Sequence, residues 1–65
     1  MWETKLIEGT QKWIIVNFEL NKYICLFGEN FDTTMNIDET HVFDLYSQAS
    51  DICEKMNFPA GIRIQ

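Results

Sequence analysis

An α+β fold is the class this sequence predicts: a small mixed or antiparallel sheet with one helix packed on one face, in the order βββαβ. Three observations lead to it. In "WIIVNFEL" the residues Ile14, Val16, Phe18 and Leu20 alternate without a break, the period-two pattern of a strand with one buried face. Further on, Val42, Leu45, Tyr46, Ala49, Ile52, Cys53 and Met56 follow the 3.6-residue spacing of an amphipathic helix. The chain has 65 residues, 46% of them hydrophobic. That is enough apolar content for a packed core rather than disorder, and a length that makes 1–65 a single small domain. One helix on one face of a small sheet is the natural layer arrangement for such a chain.

The elements follow in order. "WETKLIEG" is the first strand, turning at Gly9 and Thr10. A two-residue loop there pairs Leu6 with Trp13, and a three-residue loop pairs Leu6 with Ile14. A one-residue slip moves every side chain to the opposite face, and the second register is preferred because it buries Trp2 and Leu6. "KWIIVNFEL" and "NKYICLF" read as a hairpin through a two-residue loop at Asn21 and Lys22, which pairs Leu20 with Tyr23, Phe18 with Cys25 and Val16 with Phe27. Asn21 tolerates the positive φ such a turn needs. Residues 29–39 read as an acidic loop. The helix lies within "ETHVFDLYSQASDICEKMNF", capped by Asp38 or Thr40, with Asp38, Glu39 and Asp44 placed to favour its dipole. Pro59 and Gly61 stop it. "GIRIQ" is the last strand, with Ile62 and Ile64 inward and Arg63 outward, reached by a right-handed crossover through the helix.

Charge divides the chain. Residues 1–22 balance three Glu against three Lys, whereas residues 23–54 hold seven carboxylates and no Lys or Arg, a local charge of -7. Those carboxylates are Glu29, Asp32, Asp38, Glu39, Asp44, Asp51 and Glu54. Such a block repels nucleic acid and attracts basic surfaces, so direct nucleic-acid binding is not expected. Cys25 and Cys53 both lie in apolar runs, and two cysteines do not make the disulfide framework of a small secreted domain. They read as buried free thiols in a cytoplasmic protein. There is no signal-like segment and no apolar run of membrane-spanning length.

Several chemistries fail on spacing. Aligning Asn30, Asp32 and Thr34 with the first positions of a calcium loop leaves Met35 where the sharp turn needs glycine, and His41 where a bidentate Glu is needed. Cys25, His41 and Cys53 lack the close spacing of zinc ligands. A nucleophilic Cys25 or Cys53 would need His41 beside it in a cleft, and the three glycines are isolated, so no phosphate-binding loop exists. No catalytic centre, metal site or cofactor is expected.

Two features remain: the acidic block and an apolar surplus. If Val16, Phe18 and Leu20 face the helix, then Trp13, Ile15, Ile24 and Leu26 cover the other face of the sheet, and Phe43 falls at the edge of the helix stripe. The first feature is either a solvated face or a docking surface. The second is either a satellite cluster, a homodimer contact or an apolar patch for a partner. In type, a tiny acidic single-domain chain without an active site resembles the small inhibitors encoded by bacteriophages, of which anti-CRISPR proteins are the best-known group. That resemblance implies a protein-binding, nucleic-acid-mimicking inhibitor acting in the host cytoplasm on the basic surface of a nucleic-acid enzyme. The resemblance places partner binding on Glu29, Asp32, Asp38, Glu39, Asp44, Asp51 and Glu54, and the apolar surplus adds Trp13 and Phe43 as candidate anchors. The apolar surplus supports the alternative of a self-associating structural or regulatory module that dimerises through the outer face of the sheet, with Trp13, Ile15, Ile24 and Leu26 in the contact; residues 12–64 also resemble the small βββαβ antitoxin modules.

Overall fold

Four strands form one antiparallel meander in the computed structural model, which describes residues 1–58. They are β1 (Glu3–Leu6), β2 (Trp13–Asn17), β3 (Lys22–Phe27) and β4 (Asn30–Thr34), ordered β1-β2-β3-β4 across the sheet. A short 3-10 helix, Ile37–Glu39, and one α-helix, α1 (Tyr46–Asn57), complete the fold. The α+β class stands, with four strands preceding the helix. The strand expected at "GIRIQ", its crossover and the stop at Pro59 and Gly61 lie outside the described residues.

The strand β4 replaces the expected loop. Gly28 and Glu29 join β3 to β4 as a two-residue hairpin loop, with Phe27 paired to Asn30. Gly28 has φ 64° and is the only central residue of the loop at positive φ, the type II′ pattern that favours glycine at the first central position.

The β2–β3 connection also differs from the expected one. The strand β2 stops at Asn17, and the pairing is Val16 with Tyr23 and Asn17 with Lys22, four positions away from the two-residue-loop register. The cause is turn chemistry. The Asn17 side-chain carbonyl accepts the Leu20 N–H at 3.1 Å, offering the backbone a turn in place of a ladder. Asn21 completes the turn at φ 54°. Phe18 and Leu20 are therefore 56% and 57% exposed instead of lying inward.

The helix packs on the opposite face from the expected one. The core is Ile15, Ile24, Phe43, Ala49 and Cys53, with Trp2, Trp13, Ile52 and Met56 packed against it. Trp13, Ile15 and Ile24 are thus beneath the helix and not on an outer patch. The small side chain of Ala49, fully buried, lets the helix approach Ile15 and Ile24 closely. In the first hairpin Leu6 pairs with Trp13, the two-residue-loop register and not the preferred one. This places β1 so that Trp2 reaches the true core face. Trp2 is half-buried as expected, because the two departures offset each other, while Leu6 remains 45% exposed. The Asn57 side chain clamps the helix end to β1, accepting the Trp2 N–H at 2.8 Å and donating to the Trp2 carbonyl at 3.0 Å.

The strands β2 and β3 splay apart after two pairs, and residues 40–43 fill the opening. Phe43 and Trp13 exchange both backbone hydrogen bonds, at 2.8 and 2.9 Å. On the other side the Ile24 carbonyl accepts the His41 N–H at 2.8 Å and the Thr40 hydroxyl at 3.0 Å. Thr40 therefore ties this wedge to β3 and does not cap the helix. Asp38 is not the cap either: it lies in the 3-10 helix, where its own N–H is held by the Asn36 side chain at 2.9 Å. The helix starts only at Tyr46, after Leu45, with no side-chain cap and no acidic residue in its first turn. Val42 precedes it and is exposed. Ile14 and Val16, on the face away from the helix, are nonetheless buried, since the returning chain places Ile37, Thr40 and Val42 around Ile14.

Candidate partner-binding site

The seven carboxylates of the cation-free block divide into separate groups. Glu29 sits in the turn between β3 and β4, Asp32 is in the middle of β4, and Asp38 and Glu39 are in the 3-10 helix. Asp32 and Glu39 line one depression of about 450 Å³ together with Cys25, Leu26, Phe27 and Thr34. The Thr34 hydroxyl donates to Glu39 at 2.6 Å, fixing that carboxylate beside the strand. Glu29, Asp32, Asp38 and Glu39 have no ion-pair partner among the described residues.

Asp44 is different. The sequence places it at the helix start to favour the dipole, but it lies outside the helix, and its carboxylate takes a hydrogen bond from Lys12 Nζ at 2.6 Å. That bond, with the charge attraction behind it, holds the Asp44 carboxyl below the usual range. Its negative charge is therefore compensated by a lysine from outside the block. On the helix, Asp51 meets Lys55 at 3.3 Å, one turn away and exposed. Glu54 lines a separate cleft with Trp2, Tyr46 and Asn57.

The two apolar anchors are also placed differently from what the sequence suggested. Phe43 is 4% exposed and belongs to the core. Its position in the wedge, bonded to Trp13, turns the ring inward, so it is not an exposed anchor. Trp13 is half-buried under the helix, with its ring 4.8 Å from that of Tyr46 in an edge arrangement.

Other side chains supply the exposed apolar surface. Beyond the wedge, β3 and β4 run on as a two-stranded arm that β2 does not pair with. Phe27 at its tip is 77% exposed, with Leu26 and Phe31 beside it. The signal for these residues was present in "CLFGENF": an isolated glycine between apolar residues of strand character is the type II′ hairpin pattern. The acidic composition of the following stretch masked it.

The free edge of this arm is guarded. A two-residue hairpin is closed by a hydrogen-bonded pair, here Phe27 with Asn30, so Asp32 also faces β3 and Thr33 points its N–H outward. The Asp32 carboxylate accepts that outward N–H at 2.7 Å. A charged side chain folded over an edge donor discourages strand addition from another chain.

Among the described residues, no group of three or more His, Cys, Asp or Glu side chains is placed to hold a metal ion, and no helix is long and apolar enough to cross a membrane. Cys25 and Cys53 are both free, the first half-buried and the second buried. Burial pushes the Cys53 thiol upward, with a smaller push from the Glu3 carboxylate. No family model matches this chain, and neither a curated protein nor a solved structure matches it.

Proposed function

We propose that this chain is a small acidic inhibitor that acts by binding a protein. It covers the basic nucleic-acid-binding surface of a host enzyme, such as a CRISPR effector nuclease, in the manner of phage- or mobile-element-encoded inhibitors. The observation that carries the reading is the β3–β4 arm. It presents exposed Phe27 and Leu26 with Glu29 and Asp32, and Glu39 of the 3-10 helix lines the same depression; these carboxylates and the neighbouring Asp38 of the 3-10 helix lack cationic partners among the described residues. Interfaces draw most of their affinity from a few apolar anchors, while surrounding charge sets orientation and association rate. Phe27 supplies the first and the carboxylates the second. The arm takes the anchoring role that the sequence assigned to Trp13 and Phe43, and no catalytic step is involved.

The test is the double charge reversal Asp32→Lys with Asp38→Lys. Lysine at position 32 keeps a charged guard on the β4 edge, and both positions are exposed, so circular dichroism should stay unchanged. Pull-down against a panel of purified nucleases, at low and high salt, should show capture by the wild type that weakens with salt and is lost in the variant. Full capture by the folded variant would refute the reading.

A second reading, self-association, has narrower support. Three of the four residues expected to form a dimer face are under the helix. What favours it instead is a cleft of about 360 Å³ on the far side of the sheet, where Ile37 and Val42 are exposed around Ile14. Sedimentation at micromolar concentration decides it, and a stable monomer removes it.

A further inference from the structure

One cleft is not used by any role assigned so far. It lies between the wedge and the helix, has a volume of about 310 Å³, and is lined by Phe31, His41 and Phe43 on one side and Gln48, Asp51 and Ile52 on the other. The first wall is an aromatic cluster. Phe31 stacks on Phe43 with centroids 5.8 Å apart and planes at 25°. His41 stands edge-on to Phe43 at 4.6 Å and to Phe31 at 5.7 Å. Phe43 is buried as the base of the cluster, while Phe31 remains partly exposed. The second wall carries the Asp51 carboxylate and the Gln48 amide, both on exposed positions of α1.

We infer that this cleft is a binding site for one arginine side chain of the basic partner. The inference rests on the inhibitor reading and names the chemical group that the partner inserts. The partly exposed Phe31 ring in one cleft with the Asp51 carboxylate suits a guanidinium better than any other common side chain. The planar cation stacks on a ring, and its fork of N–H donors matches the two carboxylate oxygens. An ammonium is a compact, strongly hydrated point charge and gains less from a stacking surface. The volume is at the lower limit of ligand pockets, which suits a single side chain rather than a cofactor. Lys55 is the only cation of the described residues paired with Asp51. An exposed pair of this kind contributes little stability, so an incoming guanidinium can displace it readily.

The experiment titrates the whole chain with acetyl-Gly-Arg-Gly-amide and with its lysine counterpart, observing backbone amides by two-dimensional NMR. The arginine peptide should give saturable shifts at His41, Gln48, Asp51 and Ile52, with roughly millimolar affinity for so small a contact. The lysine peptide should bind several-fold more weakly. Asp51→Asn should weaken the arginine peptide about tenfold, and Phe31→Leu should weaken it while circular dichroism reports an intact fold. Glu8→Gln, an equal charge change in the first hairpin loop, should leave it unchanged. Equal shifts with both peptides, shifts spread over all the carboxylates, or an unaffected Asp51→Asn variant would each overturn the site. Failure here with partner capture intact leaves the inhibitor reading standing. Peptide binding without any captured partner leaves the arginine site standing alone.

Discussion

Replacing Phe43 by alanine tests the feature that most separates the structure from a reading of the sequence. As a surface anchor, Phe43 would matter for binding and hardly at all for stability. The structure makes it a core residue, 4% exposed, stacked at 5.8 Å on Phe31 and edge-on at 4.6 Å to His41. Truncating a buried phenylalanine costs about 3–5 kcal/mol, through lost burial and the cavity left behind. At ~0.05–0.15 kcal/mol per residue, a chain of 65 residues has a stability of about 3–10 kcal/mol. The substitution therefore removes a large share of the stability or all of it. The backbone bonds to Trp13 do not depend on the ring, so the strands can still pair, but Phe31 and His41 lose the surface they pack on. Phe43→Leu keeps most of the volume and forfeits mainly the ring-to-ring contribution, about 1–1.5 kcal/mol. Urea unfolding followed by tryptophan fluorescence reports on this directly, because Trp2 and Trp13 both pack against the core. With a slope of about 1 kcal/mol per molar urea, the midpoint of Phe43→Ala should fall by about 3 M or the folded baseline should vanish. A Phe43→Ala protein that keeps its stability to within about 1 kcal/mol while losing a partner would refute the wedge and restore Phe43 to the surface.

Two further outcomes are expected. Asn57→Ala deletes both bonds that hold the helix end to the Trp2 backbone, at about 0.5–1.5 kcal/mol each. Alanine's better helix propensity returns about half a kcal/mol, so thermal unfolding should show a net loss of about 1–2 kcal/mol, with faster amide exchange at Trp2; an unchanged melting temperature counts against the clamp. The Cys53 thiol is held above its ordinary value near 9 by burial, so the folded state favours the neutral form. Its contribution is fully present below the unfolded value and is lost as pH rises toward the folded one. Urea midpoints should thus be steady at neutral pH and decline above about pH 9, and Cys53→Ala should lessen that alkaline decline. An identical pH profile in the variant would show that the thiol is not the group responsible.

Local periodicity determined a good part of this protein. The strand character of residues 13–17, the helix stripe of Ala49, Ile52, Cys53 and Met56 and the α+β class all follow from the spacing of side chains along one segment, and the left-handed Asn21 from its residue type. The bounds are less faithful to that spacing: β2 stops at Asn17, the helix starts only at Tyr46, and β4 forms where a loop is expected. Which faces meet could not be read the same way. Ile14 and Val16 are as apolar as Ile15 and Ile24, so both faces of β2 qualify for burial. The choice depends on the small Ala49, which lets the helix approach, and on the returning chain, which covers Ile14 from the other side. The β2–β3 register went to Asn17, whose side chain makes a turn against the trend of the alternating residues after it. The wedge of residues 40–43 has no local signature at all, because its backbone partners, Trp13 and Ile24, are far away in the sequence. The charge of the block was legible as a sum, but its arrangement was not. Lys12 neutralises Asp44 across the fold, and Asp32 turns its carboxylate onto the neighbouring Thr33 N–H. Charge accumulates along a chain, whereas pairing and exposure depend on which segments fold against one another, and only the tertiary structure sets that.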